Sequence, residues 1–324
     1  MKIKCPCCNN DNFFEKYNDI AGEDGKFYSI IQCDFCKFST LSPMPTDKDK
    51  ELTQFYTQKY NGKTKTNILE FKNPEDFIKT NKSVYEDMSN RLLDIEKIAN
   101  ISNNQKRLSL LDVGCSYGHM VYVAGRRGYL SKGVDLDTES VSYGVTKLGL
   151  PLKVGTIYDV KSKFDIITQW MSLEHVLDPN NQVSEVYNCL NDNGIYAGSV
   201  PNMGGYYAKL KGRKWYNIVP PEHVNYFNND NLRMMLKDKG FDVLFAGTIA
   251  RYAAPSINFG IRKKLNKTIS KIENNLLKAL LLIFYRFLTV IKRIFVYRLL
   301  NFIIIKFKLG GNGIFWVARK NKNK

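Results

Sequence analysis

The residues best placed to do chemistry lie in Leu110-Leu111-Asp112-Val113-Gly114-Cys115-Ser116-Tyr117-Gly118-His119. The apolar positions around Asp112 read as a strand covered on both faces, because such strands are near-continuous hydrophobic runs. Gly114 and Gly118 allow a sharp turn that brings bare backbone against a ligand. A helix over Met120–Arg127 would aim its N-terminus at the same spot. Gly133-Val134-Asp135-Leu136-Asp137, with Asp135 seventeen residues past Gly118, reads as a second strand ending in a carboxylate. An acid there can accept both hydroxyls of a ribose. The spacing is Gly-x-Ser-x-Gly, so an ordinary strand-to-helix turn and a nucleophile elbow on Ser116 also stay open. An elbow needs a later Asp and His. His223 is the only later histidine with a context for it, and the Asp135 strand argues against it.

A second set of reactive side chains opens the chain. Cys5-Pro6-Cys7-Cys8 and Cys33-Asp34-Phe35-Cys36 are two Cys-x-x-Cys pairs with 24 residues between Cys8 and Cys33. That is zinc-ribbon spacing, in which each thiolate pair clips the tip of a hairpin. Cys5, Cys8, Cys33 and Cys36 are the expected ligands of a structural zinc, and Cys7 is a spare thiol that leaves the set open. Phe13, Phe14, Tyr17, Phe27, Tyr28 and Ile30 are expected to pack beneath the metal, without which so small a piece would barely fold. Disulfides and incidental thiols are the alternatives. No signal peptide is visible behind Met1-Lys2-Ile3-Lys4-Cys5, which disfavours disulfides. Cys115 and Cys189 read as small buried hydrophobes.

The third set is histidine. His119 follows Gly118 and reads as a loop residue at a helix start. His175 sits in Leu173-Glu174-His175-Val176, just past the apolar strand Lys163–Trp170, and open α/β sheets bind ligands beyond such strand ends. His223 lies in Pro220-Pro221-Glu222-His223, within a connection from Pro201 to Phe227 that is long for an α/β fold. Its Trp215, Tyr216, Tyr226 and Phe227 are expected to wall an acceptor pocket. Histidine is a base near neutrality without special tuning, so His223 is preferred as general base over His175, with Glu174 beside it. A purely structural role for both Glu-His pairs stays open, as does a divalent cation held by Glu174, Glu222 and His175.

Positioning these groups takes an alternating series. After the Lys163–Trp170 strand, a helix start at Asp178 leads to Leu190, a turn at Asn191–Gly194 and a strand from Ile195 to Asn202. Phe241–Gly247 and Gly313–Lys320 read as closing strands, and residues 75–101 as lead-in helices. This succession resembles the class I methyltransferases that use S-adenosylmethionine, and within them the branch related to quinone O-methyltransferases. The motifs match over residues 107–247, with Asp112, Gly114, Gly118 and Asp135 falling directly on the family pattern and Ser116 replacing its usual middle glycine. The resemblance implies a doubly wound, Rossmann-like seven-stranded α/β sheet. It implies a glycine loop, with Cys115 and Ser116, around the methionine half of the cofactor. Asp135 and Leu136 would lie at the ribose, and Thr156, Ile157, Gln169 and Trp170 would line the adenine and the transfer chamber. With the paired cysteines, Pro43-Met44-Pro45 and Phe55-Tyr56, it extends to a subgroup acting in sugar and surface-polysaccharide biosynthesis.

Composition excludes a disordered chain: 324 residues, 44% hydrophobic and 13% aromatic, can bury a full core. Charge is uneven. Of a net +17, residues 261–324 carry +15, from 16 Lys and Arg against Glu273. The cations interleave with Leu276–Ile291 and on to Ile305, and Lys271, Lys278, Arg286 and Arg293 recur at one-face spacing. Arg286 and Lys292-Arg293 break the apolar run before it could span a bilayer. An in-plane helix on an anionic membrane is preferred. Packing within the chain or across a homodimer stays open, and nucleic acid is disfavoured because its surfaces need exposed charge rather than Leu/Ile runs. The expected organisation is a ribbon over 1–45, linker and lead-in helices over 46–106, a cofactor core over 107–250, a basic amphipathic insertion over 251–308 and a last strand and tail over 309–324. The expected activity is cytoplasmic methyl transfer from S-adenosylmethionine at the inner membrane face. The expected acceptor is a hydroxyl of a sugar or lipid-linked saccharide, with a quinone-like or other lipid as the alternative, and behind these an RNA methyltransferase or a non-catalytic cofactor-binding scaffold.

Overall fold

The computed structural model describes residues 4–44, 74–101, 107–249 and 310–321, with Phe302 and Lys306 besides. The basic amphipathic segment and Phe55-Tyr56 therefore lie outside the described residues. Seven strands form the larger sheet: β4 (Ser109–Val113), β5 (Leu130–Asp135), β6 (Leu152–Val154), β7 (Phe164–Trp170), β8 (Leu190–Pro201), β10 (Phe241–Gly247) and β11 (Gly313–Lys320). Their order is β10-β11-β8-β7-β4-β5-β6. The five inner and far strands are parallel, and β11 inserts antiparallel between β8 and β10. This is the doubly wound sheet the apolar runs predict. The crossover helices are α3 (His119–Arg126), α4 (Thr138–Thr146) and α5 (Pro179–Asn188), with α7 (Asn229–Asp238) leading into β10. Asp178 caps α5 as expected, its side chain accepting from the Asn181 N–H at 3.0 Å.

That helix stops at Asn188 and the strand begins at Leu190, earlier than the turn signal at Asn191–Gly194 suggests. The turn residues are absorbed as an irregularity in the ladder, with the register shifting between the Phe164–Leu190 and Ile166–Ile195 pairs and Asn193 at φ 60°. Extra residues in a strand bulge out rather than end it when both flanks are paired.

The cysteine segment forms β1 (Phe13–Ala21), β2 (Phe27–Cys33) and β3 (Ser39–Ser42), and its fourth strand is β9 (Asn225–Tyr226), from the long connection after β8. Alternation along β2 turns Tyr28, Ile30 and Gln32 inward. Of the residues expected beneath the metal, only Phe13 packs against the cysteine cluster. Tyr17, Tyr28 and Ile30 belong to a separate core with Met203 and Trp215. Phe14 and Phe27 belong to neither. They are 45% and 68% exposed, since Phe14 follows the inward Phe13 and Phe27 precedes the inward Tyr28. The cysteines are sealed instead by Phe38, which meets Phe227 edge-on at 5.3 Å, in a core cluster that also holds Val183, Val186, Leu232 and Met235.

In the sheet centre, fully buried Trp316 packs against Tyr196 with ring centroids 5.4 Å apart. The Trp316 ring lies over Gly198, where an added Cβ would stand 2.1 Å from the Gln169 carbonyl and 2.4 Å from the indole. Gly198→Ala should therefore destabilise by about 1–3 kcal/mol, the usual cost of overpacking a filled core. Chemical denaturation of the purified variant checks this, and an unchanged midpoint would contradict the packing.

Candidate active site

Because β4 to β8 run parallel, their carboxyl ends share one edge, and the residues singled out by type converge there. Val113 ends β4, and Gly114 (φ 74°), Ser116 (φ 47°) and Gly118 (φ 82°) turn the chain into α3. The turn is held to β5 by the Gly114 and Cys115 N–H groups, which donate to the Val134 carbonyl at 2.9 and 3.1 Å. A Cβ at Gly114 would meet Ser172 Oγ at 2.8 Å, so the glycine makes room for the chain leaving β7. Cys115 is buried in the turn, and burial raises its thiol pKa.

Asp135 ends β5. One carboxyl oxygen accepts from the Ser116 N–H at 2.7 Å and the other from the Asp137 N–H at 2.8 Å. The acid thus fixes the glycine turn to the end of β5, next to the exposed Leu136. Burial raises its pKa, and these backbone donors oppose the shift. Asp112, beneath the turn, accepts from Thr168 Oγ1 at 2.7 Å, and burial pushes it up to about 8. Thr156 begins the short turn after β6, its N–H and hydroxyl both donating to Asp159, and Ile157 is buried beside it. Gln169 is buried with Oε1 accepting from Tyr196 at 2.7 Å.

Helices α1 (Pro74–Thr80) and α2 (Lys82–Ile98), the lead-in helices, cover the turn. Phe77 packs on Tyr117, His119 and Tyr143 with centroids 5.6, 5.8 and 5.0 Å away, and Tyr85 on His119 at 5.0 Å. Burial lowers the His119 pKa to about 4, so it is a neutral member of this cluster. Sequence reasoning missed Arg91 of α2. Its guanidinium stands 4.7 Å over the Trp170 ring, donates to Ser199 Oγ at 2.9 Å and pairs with Asp87 at 2.8 Å. The only signal for it was the Asp87–Arg91 (i,i+4) spacing.

Past β7, Glu174 and His175 meet His223 from a segment 48 residues on. The two imidazoles are edge-to-face at 4.8 Å. Each ring has its Nδ1 against a backbone carbonyl at 2.8 Å, His175 on Glu222 and His223 on Asn217. A carbonyl only accepts, so Nδ1 carries the hydrogen and Nε2 is the basic nitrogen in both. Glu174 is fully buried without a hydrogen-bond partner for either carboxyl oxygen, 4.0 Å from His175 Nε2, and burial raises it to about 8. The three side chains that could share a cation are Glu174, His175 and His223. The Glu222 side chain, left open as a further ligand by the sequence, is not part of the group. Of the anticipated pocket wall, Trp215, Tyr226 and Phe227 are instead buried in the core, and Tyr216 is exposed.

Strand β9 begins two residues after His223, and its pairing with the ribbon was also missed. Ser39 and Thr40 of β3 pair with Tyr226 and Asn225, and Thr40 Oγ1 donates to the Val224 carbonyl at 2.9 Å. Partners separated by 184 positions leave no local signal. At the ribbon's end the sulfur pairs Cys5–Cys36 and Cys8–Cys33 lie 3.4 and 3.6 Å apart, and the four atoms fall within 4.8 Å of one another. A tetrahedron of zinc–thiolate bonds has edges of about 3.8 Å, so the donor set fits zinc, with Cys7 outside it.

A seven-stranded sheet of this order, with a glycine turn and a strand-end acid at its carboxyl edge, defines a nucleotide-cofactor enzyme of the doubly wound class. The methyltransferase-domain family matches residues 84–245, and the chain belongs to it; the enzyme is an S-adenosylmethionine-dependent methyltransferase. This removes the hydrolase reading of Ser116. No curated protein matches the chain. Solved structures similar to it include phosphoethanolamine N-methyltransferase 2 of Haemonchus contortus with S-adenosylmethionine (16% identity, TM-score 0.44, covering 72% of this chain). This chain spans only 52% of that enzyme's length. Others are a putative sarcosine dimethylglycine methyltransferase from Galdieria sulphuraria (16%, 0.46, covering 84% of this chain and 98% of that one) and an S-adenosylmethionine-dependent methyltransferase from Archaeoglobus fulgidus (19%, 0.44, 71% and 94%).

Two outcomes follow from this geometry. Asp135→Ala should weaken S-adenosylmethionine binding by roughly 2–4 kcal/mol, measured by calorimetry on protein shown by circular dichroism to be folded. Unchanged affinity would remove Asp135 from the site. Glu174 titrates near 4.5 when unfolded and about 8 when folded, so its burial costs stability as pH rises through that interval. The stability advantage of Glu174→Gln over the parent should therefore grow from pH 4.5 to pH 8. Denaturant midpoints at several pH values measure it, and a pH-independent difference would contradict the buried carboxyl.

Proposed function

We propose that the enzyme methylates a hydroxyl of a sugar or lipid-linked saccharide in surface glycan synthesis, with His223 as general base. The observation that carries this reading is the paired imidazoles beyond β7, each anchored through Nδ1 so that Nε2 is basic. Nε2 of His223 takes the acceptor's hydroxyl proton, and the Asn217 carbonyl stabilises the imidazolium through Nδ1–H. His175, edge-on to His223, shapes the acceptor side, and buried Glu174 supports His175. Asp135, Leu136, the turn Gly114–Gly118, Thr156, Ile157, Gln169 and Trp170 hold the cofactor. S-adenosylmethionine, when bound, supplies an electrophilic methyl group, so the chain's part is alignment and proton removal.

Zinc on Cys5, Cys8, Cys33 and Cys36 belongs to the same proposal, as a structural ion for the ribbon. The sulfur spacing supports it. We also place the enzyme on the cytoplasmic side, held to the inner face of the membrane through the 251–308 segment, on the strength of that segment's cations and apolar residues. Among the described residues, no helix is long and apolar enough to cross a membrane.

His223→Gln should lower turnover by about 10²–10⁴ while leaving S-adenosylmethionine affinity unchanged, as expected for a lost base. Transfer of labelled methyl to nucleotide-sugars, lipid-linked saccharides and quinols, compared in parallel, identifies the acceptor. Labelling confined to the quinol would overturn the saccharide assignment. Elemental analysis of anaerobically purified protein should find one zinc per chain, and a metal-free, fully folded protein would overturn the zinc assignment.

A further inference from the structure

The connection between β8 and His223 carries a surface that the chemistry does not use. It comprises α6 (Tyr206–Lys211) and the single turn Gly212–Lys214 that follows. Ala208 and Trp215 point inward, and Trp215 Nε1 donates to Asn312 at 3.4 Å, so the segment is pinned to the core. Its outward residues are Tyr206, Leu210 and Tyr216, at 45%, 62% and 50% exposure, together with Lys209, Lys211, Arg213 and Lys214. No acid occurs from Gly205 to Tyr216. Lys16 of β1 extends the patch: burial, and then the charges of Lys209 and Lys37, hold its pKa below the ordinary lysine value.

An isolated exposed leucine means little. Leu210, with two tyrosines and four cations in a segment that carries no acid of its own, has the composition of a surface that meets a lipid interface, where tyrosines sit at headgroup level and cations meet phosphate. The nearest acidic residue in contact is Asp19, whose backbone carbonyl accepts from Arg213 at 3.3 Å. The described residues flanking the basic-apolar segment add to this. Its two flanks leave the described fold beside this patch: the Gly310 carbonyl accepts from the Tyr206 N–H at 3.0 Å, Asn312 donates to Tyr216, and Thr248 Oγ1 accepts from the Gly311 N–H at 2.7 Å.

We propose that Tyr206–Tyr216 is a second membrane-docking face. Leu210 and the two tyrosines enter the interface of an anionic bilayer, and Lys209, Lys211, Arg213 and Lys214 contact its phosphates. It rests on the reading of the enzyme as membrane-peripheral and adds where the folded core touches. The patch lies in the same connection that carries His223.

The test places a reporter in the patch of the full-length chain. The three native tryptophans are buried, so Leu210→Trp adds an exposed one whose emission reports its own surroundings. With phosphatidylglycerol-rich vesicles its emission should shift to the blue, with little shift on pure phosphatidylcholine and a loss of the shift at high salt. Lys209→Glu/Lys211→Glu should weaken vesicle binding by about tenfold or more, at roughly 1 kcal/mol per cation near the surface, with S-adenosylmethionine affinity intact. If the chain co-sediments with anionic vesicles while the reporter does not shift, the patch proposal falls and the peripheral reading stands. If it does not co-sediment at all, both fall. An equal shift on polyuridylate would overturn the lipid assignment in favour of nucleic acid.

Discussion

The geometry beyond β7 depends on a short stretch of antiparallel pairing between two distant pieces of chain. β3 of the cysteine ribbon lies against β9, and Thr40 closes the contact through the Val224 carbonyl. Val224 is also bound from the other side, its N–H donating to the Glu174 carbonyl at 3.0 Å. The residue next to His223 is therefore clamped between the ribbon and the strand-end loop of the cofactor fold. A connection of this length would otherwise sample many conformations, at a cost of order 1–2 kcal/mol per ordered residue. The ribbon supplies the ordering partner, and its packed cysteine cluster ties that partner to the core.

The same dependence explains why the cysteines share a core with the sheet. Cys5, Cys7, Cys33 and Cys36 lie in one cluster with residues of α5 and α7, and Asn228 and Asn231 both donate to the Cys36 carbonyl at 3.4 Å. A ribbon free to swing could not hold β9 in register. Cys7, outside the sulfur group, serves as packing at this seam, where burial pushes its thiol well up.

What could be read in advance was whatever local sequence determines. The glycine turn, the strand ending in Asp135, the Asp178 cap and the closing strand Gly313–Lys320 depend on residues within a few positions of one another. The four clustered cysteines were legible because metal spacing is itself a geometric code. The errors came where tertiary partners decide. Trp215, Tyr226 and Phe227 look like pocket walls in a polar loop, yet the ribbon and sheet cover them. Phe14 and Phe27 look buried until strand alternation turns them out. Arg91 announced only a helical ion pair, and its stacking on Trp170 needs a fold that lays α2 across the ends of β7 and β8.

The antiparallel strand β11 also dictates an order of events during synthesis. It separates β8 from β10, so β10 has no sheet neighbour until the last strand arrives. Between Gly247 and Gly313 the ribosome must deliver the whole basic-apolar segment, roughly 3–13 s of synthesis at 5–20 residues per second. For that interval the β8 and β10 edges that will receive β11 are open while the basic-apolar segment is being made. Such edges are templates for aberrant pairing. Closure of the sheet therefore waits on the whole stretch of chain that separates β10 from β11 in sequence.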